Sequence, residues 1–191
     1  MKVVIAHGSF GKPHENWIPW LEEELDKLNI AYLTPTFPTP EHQNYDDWKY
    51  VLDSYYNFGC FDKDTIFVGH SCGAIFLAKY IINKEFNCRG YISLAGYNNF
   101  YSNDDLMDNL NSTFYLSKEE LRNISSFVPR RVSIYSDNDP FIPQMKLEEF
   151  ADTISSEKVI VNNGGHLNKS AGLVSFELLL SQIKKMISFD V

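Results

Sequence analysis

Short apolar runs and longer amphipathic stretches alternate along this chain from one end to the other. Val3-Val4-Ile5-Ala6 is brief, apolar and rich in β-branched residues, the pattern of a buried strand. From Asn16 to Leu28 the apolar residues Trp17, Trp20, Leu21, Leu25 and Leu28 recur at helical spacing and predict an amphipathic helix. Ile30 to Leu33 reads as a second strand, closed by a segment carrying Pro35, Pro38 and Pro40. Tyr45 to Tyr56 is helical, with Trp48, Val51, Leu52 and Tyr55 on one face. A strand over Asp64–Gly69 and a helix over Ala74–Ile82 follow. Further strands are predicted at Gly90–Ala95, Arg131–Tyr135 and Lys158–Val161, with a helix starting near Pro143. A last helix carries Phe176, Leu179, Leu180, Ile183 and Ile187.

Strands separated by helical patterns imply a parallel sheet covered on both faces. Right-handed crossovers turn such a sheet into a doubly wound one. The expectation is therefore an α/β fold of about six parallel strands with helices on both faces. With 191 residues, one domain over the whole length and no large cap is expected. The stretch from Tyr97 to Val128 is longer than an ordinary connection and rich in Asn, Ser, Asp and aromatics. Its one predicted helix starts after Ser117, where Ser117-Lys118-Glu119-Glu120 has the form of a capping box. A small functional flap and a surface loop with one packing helix describe this stretch equally well.

Charge narrows the partners. There are 17 Lys and Arg against 25 Asp and Glu, a net charge of −8, with no long block of one sign. Nucleic acid and anionic membranes both require a basic surface, so neither is expected as a partner. No apolar stretch approaches the roughly 20 residues that cross a bilayer. The apolar start is too short for a signal-peptide core, so a cytoplasmic location is expected. Cys60, Cys72 and Cys88 are odd in number and widely spaced, which supports neither a disulfide framework nor zinc. The glycosylation triplets at Asn111, Asn123 and Asn168 carry no weight without a secretory signal.

Gly69-His70-Ser71-Cys72-Gly73 lies at the seam between the third strand and the third helix. This is G-x-S-x-G, the sharp strand-to-helix turn that exposes a nucleophilic serine at the carboxyl end of an α/β-hydrolase sheet. A side chain at either glycine would strike the neighbouring strand or helix. A serine hydroxyl needs an adjacent base, and a histidine base needs an acid to hold its tautomer. The chain order Ser, acid, His places both partners after late strands. Ser136-Asp137-Asn138-Asp139-Pro140 follows the fifth strand and offers Asp137 or Asp139. Asn162-Asn163-Gly164-Gly165-His166 follows the sixth, and His166 alone of the five histidines lies beyond the last strand.

These motifs carry a resemblance. Gly69–Ala74, Asp137-Asn138-Asp139-Pro140-Phe141-Ile142-Pro143 and Gly165-His166-Leu167-Asn168 are similar to the small serine hydrolases of the retinoblastoma-binding-protein type, which include compact bacterial esterase-like members. Trp17-Ile18-Pro19-Trp20-Leu21 also resembles that family's tryptophan-containing first helix, and the likeness covers essentially the whole chain. It implies an α/β-hydrolase-like fold, and it places the acid on the aspartate directly before proline, Asp139, with Asp137 in reserve. The L-x-C-x-E motif linked with retinoblastoma binding is absent. An oxyanion hole is expected from the Cys72 N–H and one N–H of the loop His7-Gly8-Ser9-Phe10-Gly11, Ser9 before Phe10.

Other readings of the same residues are plainer. His70 is expected to point away from the hydroxyl in a structural role, and Cys72 to contribute its backbone rather than its thiol. His7 fits a turn residue beneath the site, and His14 lies in the loop above it. Trp17, Trp20 and Trp48 fit helix core faces first and a pocket wall second. Asp137-Asn138-Asp139 opens like a calcium loop, but Phe141 and Ile142 stand where an oxygen ligand and glycine are required. Gly8 to Lys12 is too short for a P-loop, and Pro13 replaces its Ser or Thr. No metal and no cofactor is implied. The expected function is an esterase-like serine hydrolase forming an acyl-enzyme on a small-molecule acyl substrate. Phe10, Tyr97, Phe100, Phe141 and Leu167 are the expected substrate-binding residues, and they favour a modest apolar acyl group. The alternatives are a binding or regulatory protein with a weakly active triad, and an acyltransferase or thioesterase on the same scaffold.

Overall fold

The computed structural model describes residues 1–100, 102 and 104–188. Six strands form one sheet: β1 Lys2–Ala6, β2 Ala31–Leu33, β3 Thr65–His70, β4 Gly90–Leu94, β5 Arg131–Ser136 and β6 Glu157–Val161. All neighbouring pairs are parallel, in the order β2-β1-β3-β4-β5-β6. The central strands β3 and β4 are buried at every position, which is why they read as continuous apolar runs. The edge strand β6 instead alternates exposed Lys158 and Ile160 with half-buried Val159 and Val161.

Among the described residues, eight α-helices surround the sheet: α1 Ile18–Lys27, α2 Tyr45–Asn57, α3 Cys72–Asn83, α4 Asp105–Ser112, α5 Lys118–Arg122, α6 Ile124–Phe127, α7 Gln144–Thr153 and α8 Glu177–Ile187. α3 packs on β1, β3 and β4 and touches α2, α5 and α6. Its residues from Cys72 to Ala78 are all buried, so it has no polar face and reads as a core helix. Phe76 on α3 meets the rings of Phe37, Trp48 and Phe114, forming an aromatic block beneath the carboxyl ends of β1 and β3. On the opposite face, Trp17 at the start of α1 meets Phe176 at the start of α8.

The stretch from Tyr97 to Val128 holds three helices rather than the one predicted. α5 has the expected capping box, with both Ser117 and Glu120 bonds formed. α4 was not legible because its only buried residue is polar Asn111, so it has no apolar stripe. Asp104 caps it by accepting from the Leu106 and Met107 N–H groups.

Winding proceeds from β1 outward to β2 in one direction and through β3 to β6 in the other. The reversal falls between β1 and β3, and in open α/β sheets the crevice outside the carboxyl ends at that point binds ligands. The loop after β1 and the turn after β3 both open there.

Candidate active site

Ser71 occupies the turn between β3 and α3 with φ 55° and ψ −126°. A non-glycine residue in that region is strained by about 1–3 kcal/mol and persists only where its surroundings hold it. Here the Ser71 N–H donates to the Leu94 carbonyl at 2.8 Å, and its carbonyl accepts from the Ala74 N–H at 3.0 Å. Its hydroxyl makes no capping bond to α3. The glycines behave as expected of a tight elbow. A Cβ on Gly69 would lie 2.5 Å from the Ala74 backbone, and one on Gly73 would lie 2.4 Å from the His7 carbonyl oxygen.

The loops after β5 and β6 are stitched together by three side chains accepting from three consecutive N–H groups. Asp137 takes Asn163 at 2.8 Å, Ser136 takes Gly164 at 2.9 Å and Asn138 takes Gly165 at 2.8 Å. Asp137 is thereby occupied in loop structure. Asp139 is the carboxylate that meets His166, with Oδ2 2.7 Å from Nδ1, and its side chain is 1% exposed. Burial alone would raise this carboxyl, but the bond and charge of His166 and the Phe141 and Ile142 N–H groups outweigh it and hold the pKa below the usual value. The geometry thus pairs Asp139 with His166 in the manner implied for acid and base. With Nδ1–H donating to Asp139, Nε2 of His166 is left to take a proton.

Ser71 and His166 line the same cavity, of about 620 Å³, at the carboxyl ends of the strands. Phe10, Tyr97, Phe100 and Phe141 line it as well. Leu167 does not. It is fully buried with φ 51°, so its side chain turns into the core under the loop, and Asn168 faces the cavity instead. Tyr97 is buried at the foot of β4; burial first of all raises its phenol pKa, and its hydroxyl faces that of Ser71. Among the described residues no cluster of His, Cys, Asp and Glu is arranged to hold a metal ion.

On the other side of Ser71, Gly8 lies so close that a Cβ there would be 2.9 Å from the Ser71 Cβ. The Phe10 N–H is directed to Thr39 Oγ1 at 2.8 Å, which takes it away from the cavity. Ser9 belongs to a buried polar knot that sequence reasoning missed. Gln43 Nε2 donates to Ser9 Oγ at 2.7 Å and to Asn111 Oδ1 at 3.0 Å, while Gln43 Oε1 accepts from Thr39 Oγ1. Ser9 Oγ also donates to Asn111 Oδ1 and lies 3.3 Å from Cys72 Sγ. Burial pushes the Cys72 thiol up to about 12, so it is inert near neutral pH.

The histidines separate cleanly. His7 lies beneath the loop: Nε2 accepts from the Phe37 N–H at 3.1 Å and Nδ1 donates to the Gly8 carbonyl at 2.9 Å. Burial lowers its pKa, and both bonds suit the neutral ring. His14 is turned toward Glu22 at 2.7 Å and does not line the cavity. His70 lines the cavity beside Ser71, and its Nε2 is taken up by the His166 carbonyl at 2.8 Å. Trp17 lines the cavity and donates its indole N–H to the Leu167 carbonyl at 3.0 Å. Trp48 lies in the aromatic block and donates to the Pro38 carbonyl.

The family model described as serine hydrolase matches residues 3–185. Serine hydrolase RBBP9 of Rattus norvegicus is 24% identical over 191 residues, covering 98% of this chain and 96% of its own. Among solved structures, the ydeN gene product of B. subtilis superposes with a TM-score of 0.84 at 21% identity, covering 98% of each chain. Est1E from Butyrivibrio proteoclasticus has a TM-score of 0.66 at 14% identity, covering 96% of this chain and 88% of that one.

Proposed function

The chain belongs to the serine hydrolase family, and on that footing we propose that it hydrolyses small neutral esters through Ser71, His166 and Asp139. The observation that carries this reading is the Asp139–His166 pair, preformed at 2.7 Å beside a cavity that also holds the strained Ser71. His166 takes the Ser71 proton as the hydroxyl attacks the carbonyl, and returns it to the leaving alcohol. Asp139, ionised well into acid, stabilises the imidazolium between those steps. The Cys72 N–H and one N–H of the loop after β1 receive the oxyanion, each worth about 3 kcal/mol of barrier. Water then repeats the sequence on the acyl-enzyme. Strain kept at Ser71 favours this reading over a purely binding protein, because strain persists where function uses it.

The cavity favours a particular class of ester. Phe10, Phe100 and Phe141 offer an apolar wall, while Glu15, Asp104 and Asp108 are acidic lining residues; no Lys or Arg is among the described ones. Such a mouth disfavours thioesters that carry phosphates and acyl chains that end in carboxylate. The test is turnover of p-nitrophenyl esters of matched length, neutral or carboxylate-terminated. The neutral ester is expected to have a kcat/KM about five- to tenfold higher at low salt, narrowing as salt screens the rim. Equal rates would refute the charge selection, and no turnover of either would refute the esterase reading.

A further inference from the structure

We propose that His70 and Trp17 are positioning residues that fix the base by gripping its backbone; this rests on the reading of His166 as the base. The three side-chain bonds from the loop after β5 stop at Gly165, one residue short of His166. Asn163, Gly165 and Leu167 all have positive φ, and the pair Gly164-Gly165 directly precedes His166. The bond to Asp139 orients the ring about one atom, but it does not set how far the ring stands from Ser71. That distance depends on where the backbone of residue 166 lies.

Two consecutive carbonyls answer for it. His166 O accepts from His70 Nε2 at 2.8 Å, and Leu167 O accepts from Trp17 Nε1 at 3.0 Å. A carbonyl only accepts, so Nε2 of His70 carries the proton. Both donors sit on flat, rigid side chains with few rotatable bonds, and both are buried. They come from different elements: Trp17 precedes α1, and His70 ends β3. Their rings also meet edge to face at 6.3 Å.

His70 is the residue immediately before the nucleophile. The bond it makes therefore ties the backbone of the elbow directly to that of the base, without passing through substrate or solvent. An uncharged donor suits the position. The two imidazole rings are 5.0 Å apart, and a second cation there would oppose the imidazolium His166 must become. Burial above all, and then the facing His166, lower the His70 pKa to about 3, so it donates as a neutral ring throughout the working range.

The test compares Trp17→Phe, His70→Leu and His70→Gln with the wild type, in steady-state hydrolysis of p-nitrophenyl acetate, with thermal melting of each. Trp17→Phe keeps a smaller aromatic ring and loses the N–H, and His70→Gln keeps a neutral N–H donor near the Nε2 position. A misplacement of the base by about 1 Å costs on the order of 100-fold. Trp17→Phe and His70→Leu are expected to lower kcat about 10- to 100-fold with KM within about threefold. His70→Gln is expected to recover most of the loss. If His70→Leu fails to fold, Trp17→Phe and His70→Gln carry the test. Wild-type kcat in a folded Trp17→Phe, or a loss in His70→Gln as deep as in His70→Leu, would overturn the clamp while leaving the triad standing. A wild type that turns over no ester would overturn the triad reading and the clamp with it.

Discussion

The two flanks of Ser71 are built by different means. On the flank proposed to supply acid and base, the loops after β5 and β6 are laced by side chains a few residues from Asp139 and His166: Ser136, Asp137 and Asn138 hold Asn163, Gly164 and Gly165. On the oxyanion flank, the loop after β1 rests on residues far away in the chain, Thr39, Gln43 and Asn111. The first flank is a dense local motif, in which Ser136 Oγ also donates to Asn138 Oδ1 and accepts from the Asn138 N–H. The second is a shared network in which Gln43 alone serves Ser9, Asn111 and Thr39. Networks of buried polar groups lose more than the sum of their bonds when one member is removed. The two flanks should therefore fail differently.

The largest difference should appear at the acid. Asp139→Asn is expected to lower kcat by about 10³- to 10⁴-fold, because the amide favours the wrong tautomer of His166. Asp137→Asn keeps an oxygen that can accept from the Asn163 N–H and should cost no more than about tenfold by the same measure. Steady-state kinetics of the two variants side by side would check the division of labour, and equal losses would break it.

The next largest should appear at Gln43. Gln43→Leu leaves Ser9 Oγ and Asn111 Oδ1 without their shared donor and should let the loop after β1 relax. We expect kcat to fall about 10- to 100-fold, toward the loss seen when one oxyanion donor is removed, with the Asp139–His166 pair intact. Gln43→Leu with wild-type kcat would show that the loop holds itself.

The smallest effect compares the buried histidines beneath the two flanks, His7 and His70. Burial lowers the pKa of both, His70 to about 3 from an ordinary 6.5. Below pH 6.5 the unfolded chain takes up protons that the folded chain refuses, so stability falls as pH drops and continues to fall toward about 3. At pH 5 the loss from His70 alone is about 2 kcal/mol relative to neutral pH. Urea titrations from pH 7 to pH 5 would measure it. His70→Gln should flatten that dependence, and an unchanged slope would show that other groups govern acid stability.

The pairing of Asp139 with His166 was legible in the sequence because its parts are contiguous. Asp137-Asn138-Asp139-Pro140 and Gly164-Gly165-His166 each follow a strand that announces itself as an apolar run. The sheet was legible for the same reason, since β3 and β4 have no polar face to blur the pattern. Gln43 and Asn111 were not legible, because nothing local marks a glutamine after a proline-rich turn or an asparagine in a polar helix. Their role exists only once α4 folds over the loop after β1. Leu167 was misplaced for a backbone reason: a positive φ at the residue after His166 sends the side chain inward. His70 was expected to be structural; its bond to the His166 carbonyl depends on a loop that begins 92 positions later, at Asn162, and no pattern within the elbow reveals it.

The central claim is that Ser71 is a nucleophile activated by His166. Its most direct test is the intact mass of the purified protein after treatment with a fluorophosphonate, for wild type, Ser71→Ala and His166→Ala. A single adduct on the wild type, mapped to the peptide containing Ser71, is predicted, with none on Ser71→Ala and labelling of His166→Ala slowed by orders of magnitude. An unlabelled wild type, or an equal adduct on Ser71→Ala, would contradict the account.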